Sequence, residues 1–212
     1  MVVAIDGPAG SGKSTVARKA AHELGFYFLN TGSFYRACTL SALQSGIDIK
    51  DRDAVLDNAH KHIITVQDGS ICLDGENVEG LLHTPEVDRS TSAVSSDPRL
   101  RELVTKRVRE ISGSMDIVTE GRDTTTVIFP DAELKFYFDA SVEVRARRRS
   151  GEQRGVSYEE VLEGIKERDR QDREKEAGAL KIAPDAVYVD TSLLTINEVC
   201  EIVISAVRTH SA

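Results

Sequence analysis

Residues 2–20 read VVAIDGPAGSGKSTVARKA, an apolar β-branched run, a glycine-rich turn, and then a helical pattern beginning at Lys13. Within it, GPAGSGKS at 7–14 fits glycine, four residues, Gly12, Lys13 and a hydroxyl residue. This is the P-loop pattern, placed after a strand and before a helix as that motif requires. Glycines here let triphosphate oxygens approach the main chain, while backbone N–H groups and the helix N-terminus point at the anion. Lys13 is expected to reach the β- and γ-phosphates and Ser14 to place its hydroxyl on Mg2+. The expected nucleotide-binding set is Gly7, Pro8, Ala9, Gly10, Ser11, Gly12, Lys13, Ser14 and Thr15.

Working outward, strand-like runs recur as FYFL at 26–29, DIVTE at 116–120, LKFYF at 134–138 and AVYV at 186–189. Most are continuously apolar, as strands covered on both faces are. Helical patterns beginning at Lys13, Tyr35, Arg99, Val142 and Ile196 separate them. Strand alternating with helix predicts an α/β P-loop NTPase fold: a five-stranded parallel sheet with helices on both faces and ligands at the carboxyl ends of the strands. Thr195 and Glu198 form a capping-box pair ahead of a stripe of Ile196, Val199, Ile202, Val203, Ala206 and Val207.

Two stretches interrupt this alternation. Residues 62–80 alternate in polarity around an Asp68-Gly69 turn and read as a β-hairpin, so 36–95 is expected to be an insertion over the substrate side. Residues 142–176 are dense in arginine and glutamate and contain SGEQRG at 150–155, which reads as a mobile lid or as a solvated helical pair. The chain is thus one unit, with a core of 1–35, 96–141 and 177–212.

The 212 residues are 40% hydrophobic and 29% charged, enough for one sizeable core plus an appendage. A net charge of −8 argues against a surface that binds nucleic acid or anionic lipid throughout. Cys38, Cys72 and Cys200 are odd in number and lack paired metal-ligand spacing, so buried free thiols are expected. No leader peptide or membrane-length apolar stretch is visible, and a cytoplasmic protein is expected. The histidines show no metal-ligand spacing, and no nucleophilic triad is visible.

Polar clusters close the second and third strands: Asn30, Thr31, Gly32, Tyr35 and Arg36, then Glu120, Gly121, Arg122 and Asp123. A phosphoryl acceptor that is itself a phosphate needs cations, and Arg36 and Arg122 suit that role. Read singly, Arg36 could be a helix-surface residue and Arg122 a partner of Glu120 or Asp123. In YEEVLEGIKERDRQDREKE, Val161 and Ile165 share a helical stripe with Arg168, Asp172 and Lys175, which points the charged end inward. An Arg168–Asp172 helix pair is the other reading. The run RARRR at 145–149 reads as lid cations or as a solvated basic face.

GPAGSGKS, NTGSFYR at 30–36, TPEV at 84–87, EGRD at 120–123 with VIFPDA at 127–132, and RDRQDRE at 168–174 occur together in this order. On these motifs the chain resembles the bacterial cytidylate kinases along nearly its whole length. The resemblance implies transfer from ATP to CMP or dCMP by a core, a nucleoside monophosphate-binding insertion and a lid. It implies Lys13, Arg122 and Arg168 as catalytic residues. It further implies Thr31, Tyr35, Arg36, Arg122 and Lys175 around the acceptor phosphate, Ser92, Arg101 and Asp123 as cytosine readers, and Arg168 and Asp172 at the sugar. The implied partners are CMP, dCMP and ATP with Mg2+, with no stable nucleic acid, no membrane and a monomeric chain. Lys175 stands where that family usually has arginine, Thr125 where glycine is typical and His83 where arginine is common. The alternatives are a kinase for another small acceptor, such as UMP, and a nucleotide-binding switch that transfers nothing to a small molecule.

Overall fold

The computed structural model describes residues 1–67, 69–113, 115–151 and 156–211. In chain order the elements are β1 (Val2–Asp6), α1 (Lys13–Leu24), β2 (Tyr27–Asn30), α2 (Thr31–Gln44), α3 (Arg52–Lys61), β3 (Ile64–Gln67), β4 (Ser70–Leu73), β5 (Glu76–Asn77), α4 (Pro85–Val94), α5 (Pro98–Ser112), β6 (Ile117–Gly121), β7 (Leu134–Asp139), α6 (Val142–Ser150), α7 (Tyr158–Glu174), β8 (Val187–Asp190) and α8 (Ile196–His210). The chain divides into two compact units, Met1–Leu29 with Met115–Ala212, and Asn30–Ser114.

The first unit is built on a five-stranded sheet ordered β2-β6-β1-β7-β8, with β1 parallel to β6 and β7, and β7 parallel to β8. The strand runs expected from the sequence are all present, and β1 is central. Its Val3, Ala4 and Ile5 are fully buried, which explains why VVAI is apolar without alternation. Val16, Ala20, Phe136, Phe138, Val199 and Val203 complete that core with Val3 and Ile5. Asp6 is in register with Gly121 on β6 and Tyr137 on β7. The strands therefore end together, and the residues after β1, β6 and β7 leave from one edge, where the strand order switches.

Helix α8 keeps the expected capping box, Thr195 with Glu198. Its stripe needs correction. The buried residues are Val199, Cys200, Val203, Ile204 and Val207, while Ile196 and Ile202 are exposed. Ile202 sits off the face centred on those five positions, and Ile196 lies in the uncovered first turn. Helix α7 begins at a second capping box, Ser157 with Glu160.

In the second unit, α2 starts at Thr31, not at Tyr35. Asn30 takes the N-cap position with extended backbone, so β2 passes into the helix without a loop. Gly32 reads as a breaker, yet a first-turn glycine costs only about 1 kcal/mol, which burial of Phe34, Tyr35, Ala37 and Cys38 offsets. Strands β3 and β4 pair antiparallel as the expected hairpin, with Gln67 opposite Ser70, and Asp68 of the expected turn lies outside the described residues. A further strand was not anticipated: β5 pairs with β4 across a second Asp-Gly turn in which Asp74 adopts φ 51° and Gly75 φ 87°. Among the described residues all three cysteines are free and buried, and no helix is long and apolar enough to cross a membrane.

Candidate active site

The P-loop leaves β1 at Gly7, whose φ is +152° and whose β-carbon, if it had one, would lie 2.0 Å from the Phe138 carbonyl oxygen of β7. Glycine is therefore demanded here by the protein's own sheet, independently of any nucleotide. Lys13 is 4% exposed, and its Nζ donates to the Pro8 carbonyl at 2.8 Å and lies 3.4 Å from Ser11 Oγ. Burial, reinforced by Arg122, brings the Lys13 ammonium down to about 7 against the opposing pull of Glu120, Asp6 and Asp172. Ser14 Oγ donates to Glu120 Oε1 at 2.8 Å, which sets two hard oxygen ligands side by side.

From the end of β6, Arg122 reaches α7. Its Nε donates to Asp172 Oδ2 at 2.7 Å, and the Glu120 charge adds a second attraction. Lys175 Nζ donates to Asp172 Oδ1 at 2.9 Å, and Arg168 Nε lies 3.8 Å from Oδ2. Burial alone would raise the Asp172 carboxyl, but the Arg122 and Lys175 charges outweigh it and hold the group well below the usual carboxylate range. The charged end of the α7 stripe does turn inward as expected, with Asp172 buried and Arg168 and Lys175 half-buried, while Arg170 faces solvent and pairs with Glu167 and Glu174.

Asp123 is buried and begins a π-turn over Thr124–Ile128, in which its carbonyl accepts from Val127 and Ile128 N–H. The turn is pinned from below by Asp6. Its carboxylate accepts from Thr124 N–H at 2.9 Å, Thr125 N–H at 2.7 Å and Thr125 Oγ1 at 2.6 Å. Burial pushes the Asp6 carboxyl up, and the hydrogen bonds from Thr125 and Thr124 work against that rise. The Thr125 departure therefore adds a hydroxyl anchor that glycine could not supply.

Two members of the arginine run are engaged within the protein. Arg145 is buried against Asp169, Ala140 and Ala9, and Arg148 bonds Thr191. Residues 152–155 of the expected flexible stretch lie outside the described residues.

Within the second unit, Thr31 and Tyr35 are buried on α2, and the Arg101 guanidinium lies 4.8 Å over the Tyr35 ring. Arg101 also donates to the Ser95 carbonyl at 2.9 Å, and Ser95 Oγ donates to the Ser92 carbonyl at 3.2 Å, which brings Tyr35, Arg101 and the Ser92 segment together. Arg36 turns elsewhere: its Nη1 donates to Asp88 Oδ1 and to the Leu82 carbonyl. The first unit likewise pairs Ser14 with Glu120 and gathers Arg122, Arg168 and Lys175 on Asp172, with Lys13 near enough to feel the charges of Glu120, Arg122 and Asp172. Sequence reasoning passed over Asp6, Asp169 and Thr191. Only Asp6 carried a signal, as a charge closing an otherwise apolar strand.

A parallel α/β sheet whose central strand ends in a P-loop, with lysine, arginines and carboxylates at the same edge, defines a P-loop kinase. A solved shikimate kinase from Acinetobacter baumannii in complex with shikimate shares the fold, with a TM-score of 0.50 at 14% identity over 98% of this chain and 93% of that one. The family model described as cytidylate kinase matches residues 3–209, and the chain belongs to that family. It is 43% identical to the cytidylate kinase of Caldanaerobacter subterraneus subsp. tengcongensis over 99% of this chain and 95% of that protein. It is 42% identical to the cytidylate kinase of Rhodopirellula baltica over 98% of this chain and 93% of that protein.

Proposed function

We propose that the protein transfers the γ-phosphoryl group of ATP to CMP or dCMP, giving ADP and CDP or dCDP, as a step of pyrimidine nucleotide metabolism in the cytoplasm. The observation that carries this reading is the network at the end of the sheet in the first unit, where buried Lys13 adjoins the Arg122, Asp172 and Lys175 cluster.

Residues 7–15 hold the triphosphate, with Lys13 on its β- and γ-oxygens. Arg122 and Arg168 neutralise the charge that spreads over the moving phosphoryl group. Arg36 and Lys175 hold the acceptor phosphate with Thr31 and Tyr35. Both cations have carboxylate partners, Asp88 and Asp172, from which phosphate oxygens would draw them. Lys175 offers charge without the bidentate fork of arginine. The acceptor oxygen is already anionic, so transfer proceeds in line, without a covalent enzyme intermediate and without a strong general base.

Asp123 accepts from the cytosine amino group, while Arg101 and Ser92 serve the ring acceptors. Asp172 and Arg168 meet the sugar. Ser14 and Glu120 are the oxygen pair that would hold Mg2+, which supplies charge neutralisation on the β- and γ-phosphates when bound. Residues 36–95 act as the nucleoside monophosphate-binding insertion and 142–176 as a lid region that excludes water, anchored where Arg145 holds the Ala9 carbonyl, on a monomeric chain. Labelled γ-phosphate from ATP should appear on CDP after incubation with CMP. Label found only as free phosphate would contradict the reading.

A further inference from the structure

A phosphate-binding loop works through its N–H groups, and a carbonyl free to turn toward the same anion would oppose it. In this P-loop three carbonyls are held by donors from the protein. Pro8 O accepts from Lys13 Nζ at 2.8 Å and from Ser11 Oγ at 3.0 Å. Ala9 O accepts from Arg145 Nη1 at 3.1 Å, and Ser11 O lies 3.1 Å from the Thr191 hydroxyl.

The last two contacts lead to one helix. Arg145 of α6 is 3% exposed, and every guanidinium nitrogen is engaged: Nε on Ala140 O at 2.8 Å, Nη1 on Asp169 Oδ1 at 3.0 Å as well as on Ala9, and Nη2 on Asp169 Oδ2 at 2.6 Å. This is a forked, carboxylate-oriented geometry that fixes the guanidinium in place. The contact is close as well as polar, because a β-carbon on Gly10 would sit 3.1 Å from Arg145 Cβ. One turn further along α6, Arg148 donates to Thr191 Oγ1 at 3.1 Å and to Thr191 O at 2.6 Å. With Arg148 donating to its oxygen, the Thr191 hydroxyl has one hydrogen to share between the carbonyls of Asp139 at 2.9 Å and Ser11 at 3.1 Å.

We infer that α6 is a positioning brace for the P-loop, in which Arg145 directly and Arg148 through Thr191 hold the Ala9 and Ser11 carbonyls so that the loop N–H groups stay presented to the phosphates of ATP. The brace sets the loop before the nucleotide arrives, so that ATP binding does not carry the full cost of ordering it. Asp169 joins α7 to the same brace, on the helix that also carries Arg168 and Asp172. Arg145, Arg148 and Thr191 are thus positioning residues that act through the loop rather than on the nucleotide. The inference rests on the reading of residues 7–15 as the ATP cradle.

The test uses the whole protein with Thr191→Val, which removes the hydroxyl at similar volume, Thr191→Ser, which keeps it, and Arg145→Lys, which keeps charge but loses the fork. KM for MgATP and for CMP, kcat, the melting temperature and direct ATP titration are measured for each. Thr191→Val is expected to raise KM and Kd for ATP about fivefold or more while KM for CMP stays within about twofold, Thr191→Ser to restore both, and Arg145→Lys to raise KM for ATP about tenfold. Unchanged ATP affinity in Thr191→Val, equal losses for both nucleotides, or failure of Thr191→Ser to restore binding would overturn the brace. Absence of ATP binding in the unsubstituted protein would overturn the cradle reading instead.

Discussion

Lys13 is the residue on which burial and function pull hardest against each other. Burial and Arg122 bring its ammonium down to about 7 in the free protein, so above that pH the free protein holds it largely neutral. The negative charge of MgATP favours the protonated form, so binding above pH 7 must take up a proton, and apparent ATP affinity must fall as pH rises through that value. Calorimetric titration at pH 8 in buffers of different ionisation enthalpy should show this uptake, and identical heats in all buffers would contradict it. Lys13→Ala should lower turnover by on the order of 10²–10³-fold while leaving the melting transition in place. At Thr125, replacement by glycine removes the hydroxyl bond to Asp6. It should destabilise the fold by about 2 kcal/mol in urea unfolding, with a larger rise in KM for CMP than for ATP, because the Asp123 turn loses an anchor. Lys13, Ser14 and Arg122 were legible because a linear motif or strand end carries them. Asp6 was not legible as an anchor, since its partners Thr124 and Thr125 are more than a hundred residues away in sequence.

At the scale of elements, α7 joins two faces of the candidate site: Asp169 meets Arg145, and three residues on Asp172 meets Arg122 and Lys175. Its start depends on the Ser157 and Glu160 capping box. Ser157→Ala should therefore cost about 1 kcal/mol, read as a lower midpoint in urea unfolding at unchanged slope. The strands were legible because a short, continuously apolar run between two helical patterns suits a strand covered on both faces and little else. The α8 stripe was legible only in part. Apolarity marks Ile202 as well as Val203, but tertiary packing chose the face of Cys200 and Ile204. Likewise, propensity placed the start of α2 after Gly32, whereas burial of its first turns carries the helix back to Thr31.

For the molecule as a whole, the proposed preference for CMP turns on the residues assigned to the base. Asp123 is the residue whose chemistry separates cytosine from uracil, since a carboxylate accepts from the cytosine amino group and meets only a carbonyl oxygen on uracil. Asp123→Ala should reduce the preference for CMP over UMP by about tenfold or more, measured as the ratio of kcat/KM values. The overall architecture and reaction class were legible from the order of motifs along the chain. The side-chain partners that organise those motifs were not, because tertiary folding alone brings Asp88 to Arg36, Asp172 to Arg122 and Asp169 to Arg145. The most direct test of the central claim is ADP formation by the purified protein with MgATP and, separately, CMP, dCMP, UMP, AMP, GMP or no acceptor, with the phosphorylated product identified. The account predicts ADP together with CDP or dCDP when CMP or dCMP is supplied, whereas ATP binding with no acceptor-dependent product would contradict it.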